Sequence, residues 1–253
     1  MKRLRDDQPT MHLVMMLTLT FSTGIVDAVG YLGLDRVFTA NMTGNVVILG
    51  MAIAQADDLP ILGPVLALAT FLLGAAVGGR LMRGARVGWS GRSTITFSST
   101  GVLLVALGAA SLVAPPEAGT PWGYAVTGLL GLAMGLQAAS ARRLAVADVT
   151  TIVVTSTIVG LASDSRIAGG DGARAPRRVL AVLAILAGAA AGALLLHVHI
   201  GVGMAVAGGL TMLVALAGHL LRARRAELAA AAAAAEKATQ EAAAASTTPV
   251  TKA

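Results

Sequence analysis

Cysteine is absent from this chain, which excludes disulfides, thiolate metal sites and cysteine nucleophiles and leaves the redox compartment open. Charge is scarce too. Only 13% of the residues are charged, against roughly 25% in a soluble domain, and aromatic residues make up 3%. What is plentiful is apolar: 56% of the 253 residues are hydrophobic, and the mean hydropathy is +0.77. Apolar runs of about 20 residues, each enough to cross a hydrocarbon core, recur from Met11 to Leu221 and leave no room for a separate soluble domain. A polytopic membrane protein is expected, with the lipid bilayer as its first partner. The net charge of +6 would point to nucleic acid in a soluble protein. Here the arginines sit in short clusters between apolar runs, which is an orientation signal, and no nucleic-acid partner is expected.

Six continuous spans are predicted, at 11–32, 60–79, 93–114, 121–141, 179–198 and 201–221. Two further stretches, 37–56 and 144–163, have similar length but are interrupted by Thr, Ser, Asn and Gly. Twenty helical residues cross once; two legs of about ten reach the midplane and return. Charge separates the alternatives. If both stretches return to the side they entered, 16 Lys and Arg residues flank one side and Arg36 alone the other; if both cross, the division is 10 against 7. The positive-inside rule therefore predicts an all-α membrane protein with six transmembrane helices plus two broken, re-entrant segments and both termini cytoplasmic. Lys2-Arg3-Leu4-Arg5 has the outline of a signal peptide, but the apolar run is longer than an h-region and Asp6-Asp7 interrupts the basic end, so a first span is expected. The expected organisation is a cytoplasmic segment 1–10, a membrane domain 11–221 and an Ala-rich cytoplasmic tail 222–253 that prolongs the last helix briefly and then frays.

An internal repeat runs through the membrane domain. Gly74-x-x-x-Gly78 after the first broken segment is matched by Gly188-x-x-x-Gly192 after the second, and Thr43-Gly44-Asn45 falls on Thr155-Ser156-Thr157. Each half, 11–114 and 121–221, reads as span, broken segment, span, span. Three spans are an odd number, so the second half enters the membrane upside down, giving an inverted 3+3 repeat with the broken segments facing each other. The glycine pairs read as small-x-x-x-small packing positions.

The broken segments carry the polar candidates: Thr39, Asn41, Thr43 and Asn45 in the first, Thr151, Thr155 and Thr157 in the second. A break is expected at Thr43-Gly44-Asn45, with Asn45 capping a helix that begins at Val46. The amides freed there suit an anion or a carbonyl oxygen, and the Thr and Asn side chains suit a neutral polar solute. The alternative is that these groups satisfy one another between packed helices. Asp27, inside the first span, must pair, face the interior or be protonated, which fits proton coupling or cation binding. Gln137 occupies a nearby place in the second half. His197 and His199 lie two apart, about 200° around a helix, so they do not chelate together, and no metal or cofactor is expected. Asp148 and Asp164 bracket the second broken segment.

Gly24-Ile25-Val26-Asp27-Ala28, Phe38-Thr39-Ala40-Asn41-Met42-Thr43-Gly44-Asn45, Phe71-Leu72-Leu73-Gly74 and Met134-Gly135-Leu136-Gln137 together resemble the YoaK-like family of bacterial inner-membrane proteins, a domain of unknown function numbered 1275. The resemblance covers residues 11 to 221 and implies a small multi-spanning membrane protein with no assigned substrate. In the second half Thr155-Ser156-Thr157 stands where the family tends toward Thr-Gly-Thr.

The residues favour a small-solute transporter or channel-like permease, with a polar solute or a proton as partner and a homo-oligomer open. The rival is a non-transporting scaffold whose arginine clusters bind anionic lipid or another protein. An enzyme is not expected, because the spans hold no nucleophile and base pair, no second carboxylate facing Asp27 and no metal-ligand spacing.

Overall fold

A computed structural model describes residues 2–85, 88–144 and 154–246. Every described element is helical: α1 (Lys2–Gly33), α2 (Met42–Ile53), α3 (Leu62–Leu81), α4 (Gly91–Val113), α5 (Pro121–Leu144), α6 (Val154–Ser163), a 3-10 turn (Arg166–Ala168), α7 (Ala175–Leu196) and α8 (Ile200–Ser246). Six of them, α1, α3, α4, α5, α7 and α8, are long and apolar enough to cross a membrane. These contain the six predicted spans, with ends shifted by a few residues except at the last, where α8 runs well past residue 221.

The helices pack as pairs distant in sequence: α3 on α5, α1 on α7, and α4 on α8. Glycine makes each pairing possible. A Cβ on Gly188 would stand 2.1 Å from the Phe21 carbonyl oxygen, and one on Gly74 2.1 Å from the Leu132 carbonyl oxygen. Between α4 and α8, Gly101 lies against Gly208 and Gly108 against Gly201. With no apolar solvent contrast inside a bilayer, this close backbone approach is the source of helix affinity.

Two buried clusters stack along the bundle. Met15, Met16, Leu19, Phe97, Ala141, Leu144, Ala181, Val214 and Ala215 gather the start of α1, α4 and α7 and the far ends of α5 and α8's apolar part. Ile25, Val29, Leu34, Leu107, Val126 and Met204 gather the opposite ends. The arginines near helix ends, Arg80, Arg92, Arg142, Arg143, Arg177 and Arg222, belong by helix position to the first end, and Arg36 beside Asp57 to the second. Gly63 at the start of α3 abuts Val37, and Leu34, Asp35 and Gly63 line one crevice with Ala118 and Gly119. So α1 finishes and α3 begins at one end of the bundle, with α2 between them.

One expectation is corrected here. The tail does not fray early: α8 continues as one helix to Ser246, 47 residues in all, because its second half is built of alanine with Glu and Lys, the strongest helix formers. Of the second broken segment, residues 145–153 lie outside the described residues. Among the described residues α2 packs on α3 and α6 on α7, with no contact between α2 and α6.

The corner after α6 is tied by Arg178, whose buried guanidinium reaches Asp164 at 2.8 Å and also donates to the Gly160 carbonyl. The hydrogen bond and charge of Arg178, helped by the Ser163 hydroxyl and Arg174, hold the exposed Asp164 carboxyl below its ordinary value of 3.8. A depressed carboxyl contributes stability above the unfolded pKa and loses it as pH falls toward the folded one. Limited proteolysis across the α6–α7 corner should therefore stay slow from pH 7 to 5 and quicken below about 4. Asp164→Asn should be fast throughout; a variant as resistant as wild type at pH 7 would show that the pair is not what fastens the corner.

Candidate functional site

The polar centre of the molecule starts at Asp27, six residues before the end of α1 and so about 9 Å below it. After Gly33 the chain reverses through Asp35 and Arg36, whose φ of 64° and 56° are left-handed. It then runs back along α1. Gly30 permits this: a Cβ there would meet the Val37 carbonyl oxygen at 2.6 Å. The Phe38 ring stacks on Tyr31 at 4.8 Å. At the lowest point Asp27 Oδ1 accepts from the amides of Thr39 (3.0 Å), Ala40 (2.7 Å) and Asn41 (3.4 Å), with the Thr39 hydroxyl at 3.5 Å. Asn41 then caps α2, its side chain accepting from the Gly44 amide at 3.3 Å.

The break therefore lies at residues 34–41 rather than at Thr43-Gly44-Asn45, and the N-cap is Asn41 rather than Asn45. Asn45 sits inside α2 and clasps Phe38 from both sides, accepting from its amide at 2.9 Å and donating to its carbonyl at 2.6 Å. Gly44 is small because the Phe38 ring occupies the space beside it, 2.6 Å from where a Cβ would be. The expected anion site at the start of this helix is filled from within: the carboxylate of Asp27 takes the converging amides just ahead of the cap. That is a backbone anion nest with a built-in occupant.

A second cluster lies one turn deeper. Gln137 of α5 donates to the Thr23 hydroxyl (3.3 Å) and accepts from the Thr211 hydroxyl of α8 (3.4 Å). Thr211 lies 3.3 Å from the Ser22 hydroxyl, and both reach the Ala207 carbonyl. All four side chains are buried. Thr20, Thr96 and Thr100 are also buried, each bonding the carbonyl one turn back. The Ser111 hydroxyl is the buried side-chain polar atom that lacks a partner among the described residues.

Of the predicted site residues, Asp27, Thr39 and Asn45 are buried together around the reversal, and Gln137 is buried in the deeper cluster. Gln137 pairs with Thr23, not with Asp27. Asn41 and Thr43 are exposed at the start of α2. Thr157 is buried on α6, Thr155 points outward, and Thr151 and Asp148 lie outside the described residues. Ser22, Thr23 and Thr211 were not among the candidates, because each lies inside a span that reads as continuous and the candidates came from the two broken segments, Asp27 and Gln137. The signal that marks their helix is the spacing of Thr20, Thr23 and Asp27, three and four apart on one face of α1. His197 and His199 join no metal-ligating group among the described residues.

The family described as "Protein of unknown function (DUF1275)" matches residues 15–217. The chain is also similar to the UPF0700 transmembrane protein YoaK of Bacillus subtilis (strain 168), 31% identical over 153 residues, which is 60% of this chain. The match spans 65% of that protein's length. No solved structure matches. With the matched region running from the first half of α1 to the membrane part of α8, the chain belongs to the DUF1275 family of multi-span membrane proteins.

Proposed function

We propose that this protein is a small-solute permease of the bacterial inner membrane, built as an inverted 3+3 repeat, in which the Gln137 cluster is the path's polar midpoint. The repeat is supported by contacts that exchange between the halves, at offsets of 111 residues from α1 to α5, 114 from α3 to α7 and 100 from α4 to α8. Gly24 meets Ile185 and Ala189 across the α1–α7 seam, and Gly135 meets Phe71 and Ala75 across the α5–α3 seam; the paired partners are 114 apart, as are Gly74 and Gly188. The α4–α8 seam maps onto itself, Gly101–Gly208 exchanging with Gly201–Gly108. In this reading 34–61 is a re-entrant segment, entering and leaving at the end that carries Arg36, and the arginine-rich end with both termini is cytoplasmic.

The observation that carries the proposal is the cluster itself. Ser22 and Thr23 from the first half meet Gln137 and Thr211 from the second, deep in the bundle and uncharged. Amide and hydroxyl groups recognise a neutral polar solute by exchanging the hydrogen bonds they now make with each other. Asp27 holds the reversal and stands one turn away, where a proton would travel. The chemistry proposed is transport and not catalysis, since Asp27 Oδ1 is engaged by backbone amides and meets no second carboxylate among the described residues. That the cluster is mutually satisfied favours the rival scaffold reading, which the same experiment separates.

Proteoliposomes carrying the full chain should admit urea or glycerol faster than protein-free vesicles in stopped-flow light scattering. Gln137→Leu should slow that flux about tenfold, the equivalent of one net hydrogen bond at roughly 1.4 kcal/mol. Flux no faster than through protein-free vesicles would leave the scaffold; unchanged flux in Gln137→Leu would move the path elsewhere.

A further inference from the structure

The helices α3 and α4 follow one another in sequence but pack on different partners, α5 and α8, and so splay at the arginine-rich end. A groove of about 620 Å³ opens between them, lined by Val77, Arg80, Leu81, Arg83, Arg92, Ile95 and Thr96. Its apolar wall faces outward: Val77 is 43% exposed, Leu81 46% and Ile95 63%. Its charge is of one sign. The sequence holds no Asp or Glu between Asp58 and Glu117, and among the described residues no carboxylate pairs with Arg80, Arg83 or Arg92. Elsewhere at this end Arg178 is neutralised by Asp164.

We propose that this groove is a binding site for one anionic phospholipid, its phosphate held by Arg80, Arg83 and Arg92 and an acyl chain lying along Val77 and Ile95. The order of residues along the helices sets the direction. On α3 the chain runs from Val77 to Arg80 toward the helix end at Leu81, with Arg83 in the turn beyond it; on α4 Arg92 lies about one turn nearer the end than Ile95. Apolar surface is therefore deep and guanidinium shallow, the polarity of a lipid in the leaflet at this end of the bundle. Arg92 also donates to the Arg83 carbonyl, which links the two rims of the groove and fixes one guanidinium in place. A guanidinium carries five donors in a planar fork, so several remain for phosphate oxygens. Basic pockets between spans with an apolar floor are a recurrent headgroup chemistry. The proposal is independent of what the bundle conducts; it uses the arginine-rich end and takes from the functional reading only that this end is cytoplasmic.

The test is native mass spectrometry of the full chain in detergent, titrated with dioleoyl phosphatidylglycerol or dioleoyl phosphatidylcholine. Wild type should retain the first more tightly, on the order of thirtyfold or more, the preference expected when two or three arginines meet a net anionic headgroup. Arg80→Gln/Arg83→Gln should abolish that preference, Arg80→Lys/Arg83→Lys should restore part of it, and Arg142→Gln/Arg143→Gln at the same end should keep it whole. Circular dichroism melts of each variant confirm that the fold is retained. Equal retention of the two lipids by wild type overturns the site, as does an undiminished preference in Arg80→Gln/Arg83→Gln. Equal loss in Arg142→Gln/Arg143→Gln would mean diffuse charge and no groove. Displacement of the lipid by millimolar inorganic phosphate would make it a soluble-anion site and overturn the lipid.

Discussion

Gly188→Val is expected to destabilise the bundle by about 3 kcal/mol or more, the upper end of what overpacking costs in a close-packed interior. The size follows from what the new side chain meets. Its Cβ would stand 2.1 Å from the Phe21 carbonyl oxygen and 3.0 Å from the Phe21 Cα, which are backbone atoms of a helix and have no rotamer to change. The seam between α1 and α7 must widen as a whole, and dispersion contacts along it are lost together. Gly74→Val should do the same between α3 and α5, where the Leu132 carbonyl oxygen is equally close. Gly79→Val is the control on the same helix, since no atom beyond its own helix backbone lies within 4 Å of a Cβ there. The measurement is the melting temperature of purified protein together with the monodisperse fraction on size exclusion. A Gly188→Val protein melting within a degree or two of Gly79→Val would mean that the helices do not pack as described.

These glycines also show how far the sequence carries. Their spacing of four announces a close helix contact, and apolar length announces six spans, because both properties are local: a helix must be long enough for the bilayer and small where another backbone touches it. The partner is not local. Nothing in Gly188-x-x-x-Gly192 says that Phe21 and Ile25, more than 160 residues away, form the other side. The break before α2 was misplaced for the same reason. Glycine and asparagine at positions 44 and 45 carry the local signals for a helix start, yet Gly44 is small to admit the Phe38 ring and Asn45 is there to hold the Phe38 backbone. What decides where the helix starts is Asp27, 12 to 14 residues upstream, collecting the amides of residues 39–41. The Gln137 cluster was half legible: an amide in a span must find a partner, but whether it finds Asp27 or Thr23 depends on how α1 and α5 are rotated about their axes.

Asp27→Ala is expected to cost about 2 to 6 kcal/mol, because it strands the amides of Thr39 and Ala40 in a buried place, and an unsatisfied buried donor costs about 1 to 3 kcal/mol. Asp27→Asn separates the two roles this residue has been given. Its Oδ1 remains an acceptor at the same point, so the reversal of residues 34–41 should persist, weakened by about 1 kcal/mol as charged hydrogen bonds become neutral ones. Thermal melts should then rank wild type above Asn and Asn well above Ala. If Asp27 serves only to hold the segment, Asp27→Asn proteoliposomes should match wild type in solute flux and in its pH dependence. If it also carries a proton, the asparagine variant should keep the fold and lose the pH dependence. An alanine variant as stable as wild type would deny the anchoring role, and an asparagine variant as unstable as the alanine one would mean that the reversal requires the charge and not merely an acceptor aimed at the amides of residues 39 and 40.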